Sequence, residues 1–228
     1  MYDREFEGKE HNFGVIGVDE GTLIMYDDET QSYWSQLVGK AVSGDMEGTQ
    51  LEKIPSTMTT WGQWKELHPK TTVYIKRSVP YNSRFTSETF AKIAAMEPGP
   101  VRNNDLIVGL EGHVHARAYL VRRLAEDRLI EERFEGAPIA VYLSEDLSTA
   151  RVFERTVDGQ TLSLSLIASP DGEELEDAET GSRWNPVSGE AVSGPLKGKK
   201  LQSLISTYAV WFAWKHYRPD TTIRGDSD

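Results

Sequence analysis

The sequence predicts a mainly β fold with short helices, an α+β arrangement of two related lobes from an internal duplication, the first lobe incomplete at its N-terminus. Three observations lead there. Residues 27–73 and 177–223 align without a gap at an offset of 150, with roughly twenty identical pairs, and self-similarity at a fixed period sets an architecture before any local reading. Short apolar runs bounded by Gly, Asp and Asn outnumber helical patterns. All six tryptophans sit inside the repeat. On this reading residues 1–76 form the first lobe, 77–103 a connecting segment with one helix, 104–225 the second lobe and 226–228 a tail.

Each element has its own reason. Asp158-Gly159 separates two strand-like runs, 151–157 and 160–167, and a two-residue Asp-Gly is a strong hairpin signal. Tyr2, Arg4, Gly8 and Lys9 match Phe153, Arg155, Gly159 and Gln160 at an offset of 151, a worn copy of the same hairpin. Strands are expected at 106–110, 116–120, 129–134 and 139–143, with Gly112 and Gly136 in turns. Nothing before Met1 matches them, so either the first lobe is reduced or the chain is part of a longer protein. After each hairpin come an acidic turn, Asp-x-Glu-Thr-x-Ser-x-Trp, a Gly-punctuated strand pair and a short helix. Trp61 and Trp64, like Trp211 and Trp214, are three apart and share one helical face, which predicts four core residues. Pro69 and Pro219 mark where those helices have stopped, and Ser206 or Thr207 is the expected N-cap of the second. Residues 87–96 suggest a further helix, ended by Pro98-Gly99-Pro100. The opening strand, 2–6, should present an unpaired edge, a liability that folded proteins cover. An upstream segment, the second lobe, a partner protein or a second copy in a homo-oligomer would cover it.

Composition narrows the function classes. A net charge of −11 argues against nucleic acid, because phosphate binding relies on clustered Lys and Arg; the one basic cluster is Lys197, Lys199 and Lys200. The longest apolar run, 208–214, is too short for a membrane span, and nothing at the N-terminus reads as a signal peptide. Absence of cysteine excludes disulfides and thiolate metal sites without fixing the compartment.

Met25-Tyr26-Asp27, Glu29-Thr30, Ser32, Trp34-Ser35-Gln36, Gly39, Ala41, Gly44, Gly48, Thr60-Trp61, Trp64, His68-Pro69 and Thr71 together resemble the bacterial and archaeal family called domain of unknown function 3179. Asn104 to Gly109, Ala118-Tyr119 and Trp211 to Trp214 extend the likeness. The resemblance implies no established activity. It suggests an extracytoplasmic location, since members often look exported or lipid-anchored, and a Cys-Pro-x-Cys segment upstream of the hairpin that this chain lacks.

The candidate ligand-binding residues are Asp27, Glu29, Trp34, Gln36 and His68. Alternating acidic positions could hold a hard cation, or the same Asp and Thr side chains could bond a turn's own backbone. Carboxylates from the two lobes could flank a glycosidic bond. Trp34 and Trp184 stand either in the core or at a cleft rim. The first lobe is the better site candidate, because Trp34-Ser35-Gln36 and His68 become Trp184-Asn185-Pro186 and Arg218 in the second. His113 and His115 alternate as two zinc ligands would, yet no third ligand is evident in sequence. There is no phosphate loop, nucleophile elbow or His-Glu-x-x-His, and no cofactor is identified. The favoured function is a non-catalytic binding or assembly module; the alternative is a hydrolase or metal-dependent enzyme with a cleft between the lobes.

Overall fold

The computed structural model describes residues 1–73, 75, 101–170 and 172–225. Strands dominate them, in four four-stranded sheets and two two-stranded hairpins. Three helices of seven residues each accompany these strands: α1 (Trp61–Leu67), α2 (Val121–Asp127) and α3 (Trp211–Tyr217). The fold is therefore mainly β with short helices. The helix expected at 87–96, its Pro98-Gly99-Pro100 breaker and the tail lie outside the described residues.

Two stacked sheets form the body. The inner sheet orders Gln202–Ser203, Ala150–Glu154, Ala137–Leu143 and Leu129–Phe134, all antiparallel. The outer sheet orders Ser206–Val210, Leu106–Glu111, Ala116–Leu120 and Thr222–Ile223, the last parallel to its neighbour. Side chains alternate along a strand, so Ala137–Leu143 places Ile139, Val141 and Leu143 in one cluster with Val108, Leu110 and Tyr119. Its alternate residues Ala140 and Tyr142 enter another with Phe153, Leu162, Leu175 and Trp184. Burial on both faces is why this strand reads as one apolar run. Beyond the outer sheet, Trp211 and Trp214 of α3 pack on Ile107, Ala118 and Leu120. Gly109 permits that contact, since a Cβ there would stand 2.4 Å from the Trp214 ring.

Two meanders flank this body. The first runs Phe13–Asp19, Thr22–Asp27, Tyr33–Ser35 and Lys40–Ser43; the second runs Leu164–Ser169, Gly172–Asp177, Arg183–Trp184 and Ala191–Ser193, in the same order. Trp34 pairs with Met25 and Ala41, and Trp184 with Leu175 and Ala191. Ahead of each meander sits a hairpin whose two turn residues, Glu7-Gly8 and Asp158-Gly159, all have positive φ, as a type I′ turn demands. The second meander packs on the inner sheet. The first has a smaller core of Trp34, Ala41 and Leu51 with Tyr2, Phe6 and Phe13.

Four findings differ from the sequence reading. Residues 2–6 are paired within the chain: Tyr2 bridges Lys53, the Asp3 N–H donates to Glu52 O (2.9 Å), and Glu5–Phe6 pairs with Lys9–Glu10. Ser206 and Thr207 belong to a strand, and α3 starts after Val210 without a side-chain cap. Its first amides are satisfied by backbone instead, Trp211 N–H donating to Asp105 O (2.9 Å) and Phe212 N–H to Asn103 O (3.0 Å). Neither tryptophan of α1 is a core residue: Trp61 is 50% exposed against 6% for Trp211, and Trp64 is half-buried where Trp214 is enclosed. Finally, α2 was not expected, having no capping side chain and lying directly between two strands.

Candidate functional site

Most of the repeated residues build turns and core. Asp27 and Asp177 are each fully buried. One Asp27 oxygen accepts the Thr30 N–H (2.5 Å), while the other accepts the Thr30 hydroxyl (2.7 Å) and the Trp34 indole N–H (2.8 Å). Asp177 accepts the same set from Thr180 and Trp184, at 2.6, 3.0 and 2.9 Å. Burial alone would raise the Asp27 pKa, but the bonds from Trp34 and Thr30 outweigh it and hold the carboxyl below its ordinary value. Ser32 and Ser182 extend the network by accepting the Met46 and Leu196 amides at 3.1 and 3.0 Å. These residues close a turn onto a buried indole, the backbone-bonding alternative weighed from sequence.

The five predicted residues therefore separate. Asp27 and Trp34 are sealed in, and Trp34 lies edge-on to Phe6 and Phe13. Glu29 is exposed, and the backbone N–H and side-chain amide of Asn12 donate to it at 2.9 and 3.0 Å, the first of these contacts holding its pKa down. Gln36 is exposed, its backbone N–H donating to Leu23 O at 2.9 Å. Only His68 of the five lines the cleft described below. His113 and His115 sit in an outer-sheet turn whose amides, with that of Val114, donate to the Glu135 carboxylate at 2.8–2.9 Å. Those bonds, led by His115's, pull the Glu135 pKa down to about 2. Among the described residues no cluster of three or more His, Asp or Glu could hold a metal ion, and no helix is long and apolar enough to cross a membrane.

The cleft forms where α1 meets the inner sheet. Thr60 caps α1 in a capping box with Gln63, which fixes where the helix begins. Contacts from this segment then cross to the sheet: Thr149 Oγ1 donates to Gln63 Oε1 (3.1 Å), and Arg151 Nη1 to Thr57 Oγ1 (2.5 Å). A second tie joins Glu111 of the outer sheet to Lys53 (2.5 Å) and Arg218 (2.9 Å). Burial would raise the Glu111 pKa, yet these two cations hold it below its usual range. At the hairpin Glu20-Gly21, close approach decides the residue: Gly21 has φ +76°, and a Cβ would stand 1.8 Å from the Phe212 ring.

Beside the Thr57–Arg151 tie lies a cleft of about 560 Å³, lined by Trp64, His68, Arg151, Val187, Lys200 and Ser203 among others. Another of about 500 Å³ shares Pro55, Thr57 and Trp64 with it, and a third of about 500 Å³ shares Leu67 and Val187, so the groove runs round α1. The Trp64 and His68 rings touch at 4.2 Å between centroids, tilted by 43°, and the Trp64 indole N–H donates to Thr71 Oγ1 at 3.1 Å. Arg151 is 9% exposed, bonded to Thr57 and through Nη2 to Ser203 Oγ (2.6 Å), and lies 5.2 Å from the Phe153 ring centroid. Its Nε has no hydrogen-bond partner.

Sequence reading missed Arg151 and the cleft around it. The one available signal was a cation set between Ala150 and Val152 in an apolar strand; its neighbours Thr57 and Ser203 come from distant sequence. No curated protein and no solved structure matches the chain. Residues 1–221 match the family described as protein of unknown function DUF3179. The chain belongs to that DUF3179 family.

Proposed function

We propose that the protein is a non-catalytic binding module of two β-rich lobes related by duplication, with its ligand site in the groove between α1 and the inner sheet. The duplication reading is supported by the matched strand order and by the equivalent bonds of Asp27 and Asp177. One observation carries the binding reading. α1 and α3 present the same Trp-x-x-Trp face, but the face of α3 is buried on the outer sheet whereas Trp64 of α1 opens onto two clefts. A cleft of about 560 Å³ falls within the ~300–1,000 Å³ usual for small-ligand sites, which pair apolar walls with a few placed polar groups. Val187, Leu201 and Trp64 supply the walls; Arg151, His68 and Ser203 supply the polar groups.

The test is a fragment screen on the full chain read by indole N–H and backbone NMR shifts. Hits should perturb Trp64, His68 and Val187 together and leave Trp34 and Trp184 unmoved. Hits confined to other surfaces, or conversion of a bound fragment to product, would overturn the reading.

A further inference from the structure

We propose that Arg151 is an oxyanion receptor, so that the groove takes an organic anion with a carboxylate or phosphate head and an apolar or aromatic body. This inference rests on the groove being the ligand site. Arg155, on the same stretch of chain, shows what a buried arginine ordinarily has. It is also 9% exposed, yet it lies 3.1 Å from Glu131 and donates through Nε to Ile139 O at 3.0 Å. Arg151 has no carboxylate within ion-pair distance among the described residues; its partners are two neutral hydroxyls, and its Nε is unpartnered.

Such an arrangement is costly without a counter-charge. Taking an ion out of water costs several kcal/mol, recovered when an opposite charge and further hydrogen bonds are supplied. Burial lowers the Arg151 pKa, and no acidic neighbour offsets it. Guanidinium has five N–H donors in a planar fork, suited to carboxylate or phosphate in a bidentate mode. One N–H of Nη1 goes to Thr57 and one of Nη2 to Ser203, which fix the plane; Nε–H is enclosed without a partner, and the second N–H on each Nη is left for a ligand at the cleft. Lys200 and His68 line the same cleft, with Glu190 the acidic group in the lining. Lys200 adds positive charge at the rim, and the Trp64 and His68 rings, inclined at 43° to each other, offer an aromatic wall for the ligand's body.

The probes are benzoate, phenyl phosphate and neutral benzamide, titrated into the full 228-residue chain at constant ionic strength. Readouts are the arginine Nε–H NMR signals, with that of Arg151 assigned by its loss in Arg151→Lys, and the thermal midpoint, which a ligand specific to the folded state raises. One or both oxyanions should move the Arg151 Nε–H signal, and which one does identifies the head group. Binding should weaken by at least about tenfold in Arg151→Lys, a loss worth about 1.4 kcal/mol, because the fork is gone while the charge stays. Ser203→Ala, which keeps the fork but frees its plane, should weaken binding less. Benzamide binding at Trp64 as tightly as benzoate would overturn the oxyanion proposal and leave the groove reading standing. Should Arg151→Lys fail to fold, an Nε–H signal unmoved across the wild-type arginines at saturation would still overturn it. If none of the three probes perturbs the groove, the oxyanion proposal falls, and the fragment screen decides the groove separately.

Discussion

Trp61 and Trp211 occupy the same place in two helices of equal length, yet their removal should have different consequences. A tryptophan side chain buries about 150–250 Å² when fully enclosed, and apolar area removed from water stabilises by roughly 25 cal/mol per Å². Trp211 is 6% exposed beneath the outer sheet, so Trp211→Ala removes nearly that whole contribution and opens a hole. The expected loss is about 3–5 kcal/mol, the usual range for large aromatic truncations in a core. Trp61 is 50% exposed. Half the area is at stake, extended-chain areas overstate burial by about 10–40%, and water fills the space an exposed ring vacates; about 1–3 kcal/mol is expected for Trp61→Ala. Urea denaturation of both variants, compared at constant m-value, gives the two losses directly. Equal losses for the two substitutions would refute the claim that the sheet beneath α3, and not the helix sequence, decides the burial.

Three further outcomes follow from the polar network. Asp177→Ala leaves the Trp184 indole and the Thr180 amide without their acceptor, and at about 1–3 kcal/mol for a buried unsatisfied group urea denaturation should show a loss in that range; under about 0.5 kcal/mol would mean that the donors find other partners. Glu111→Gln removes the charge held between Lys53 and Arg218, and since all three side chains retain some exposure the cost should be about 1–2 kcal/mol, below the ~3–5 kcal/mol of a fully buried pair. Glu135, whose pKa is pulled to about 2 by amides led by that of His115, has a depressed folded value. Its stabilisation is therefore complete above the unfolded value of about 4.3 and is lost as pH falls from there toward 2. Glu135→Gln should flatten the stability-against-pH curve in that window, and an unchanged slope would show that the carboxylate is not holding the turn at 112–115.

The strands were legible because their signals are local. Asp158-Gly159 announced its hairpin through a backbone conformation those two residues favour, and residues 139–143 announced a strand through an unbroken apolar run. The repeated Asp, Thr and Trp marked a turn whose bonding is complete within about eight residues, so Asp27 and Asp177 could be read as turn formers, though not chosen over a cation site. Trp61 was misplaced because identical helices carry no record of what lies against them: residues 106–120 cover α3, while α1 meets the inner sheet from another direction. Arg151 was invisible for a related reason. Its burial depends on Thr57 and Ser203 arriving from 94 and 52 residues away, and no pattern within the strand reports that.

His68 and Arg218 show how one backbone design can support two uses. Both are C-caps with nearly the same geometry, φ −132° and ψ 70° against φ −136° and ψ 66°, and each donates its N–H to the carbonyl of the tryptophan four residues earlier. The helix end thus constrains the backbone and leaves the side chain free. At 218 the side chain reaches Glu111 and ties elements together; at 68 it lies against the Trp64 ring at the cleft. Positions whose bonds close locally keep their residue in both halves, because any change breaks a buried hydrogen bond. Positions 68 and 218, where the helix end leaves the side chain free, carry different residues, and His68 lines the groove together with Arg151.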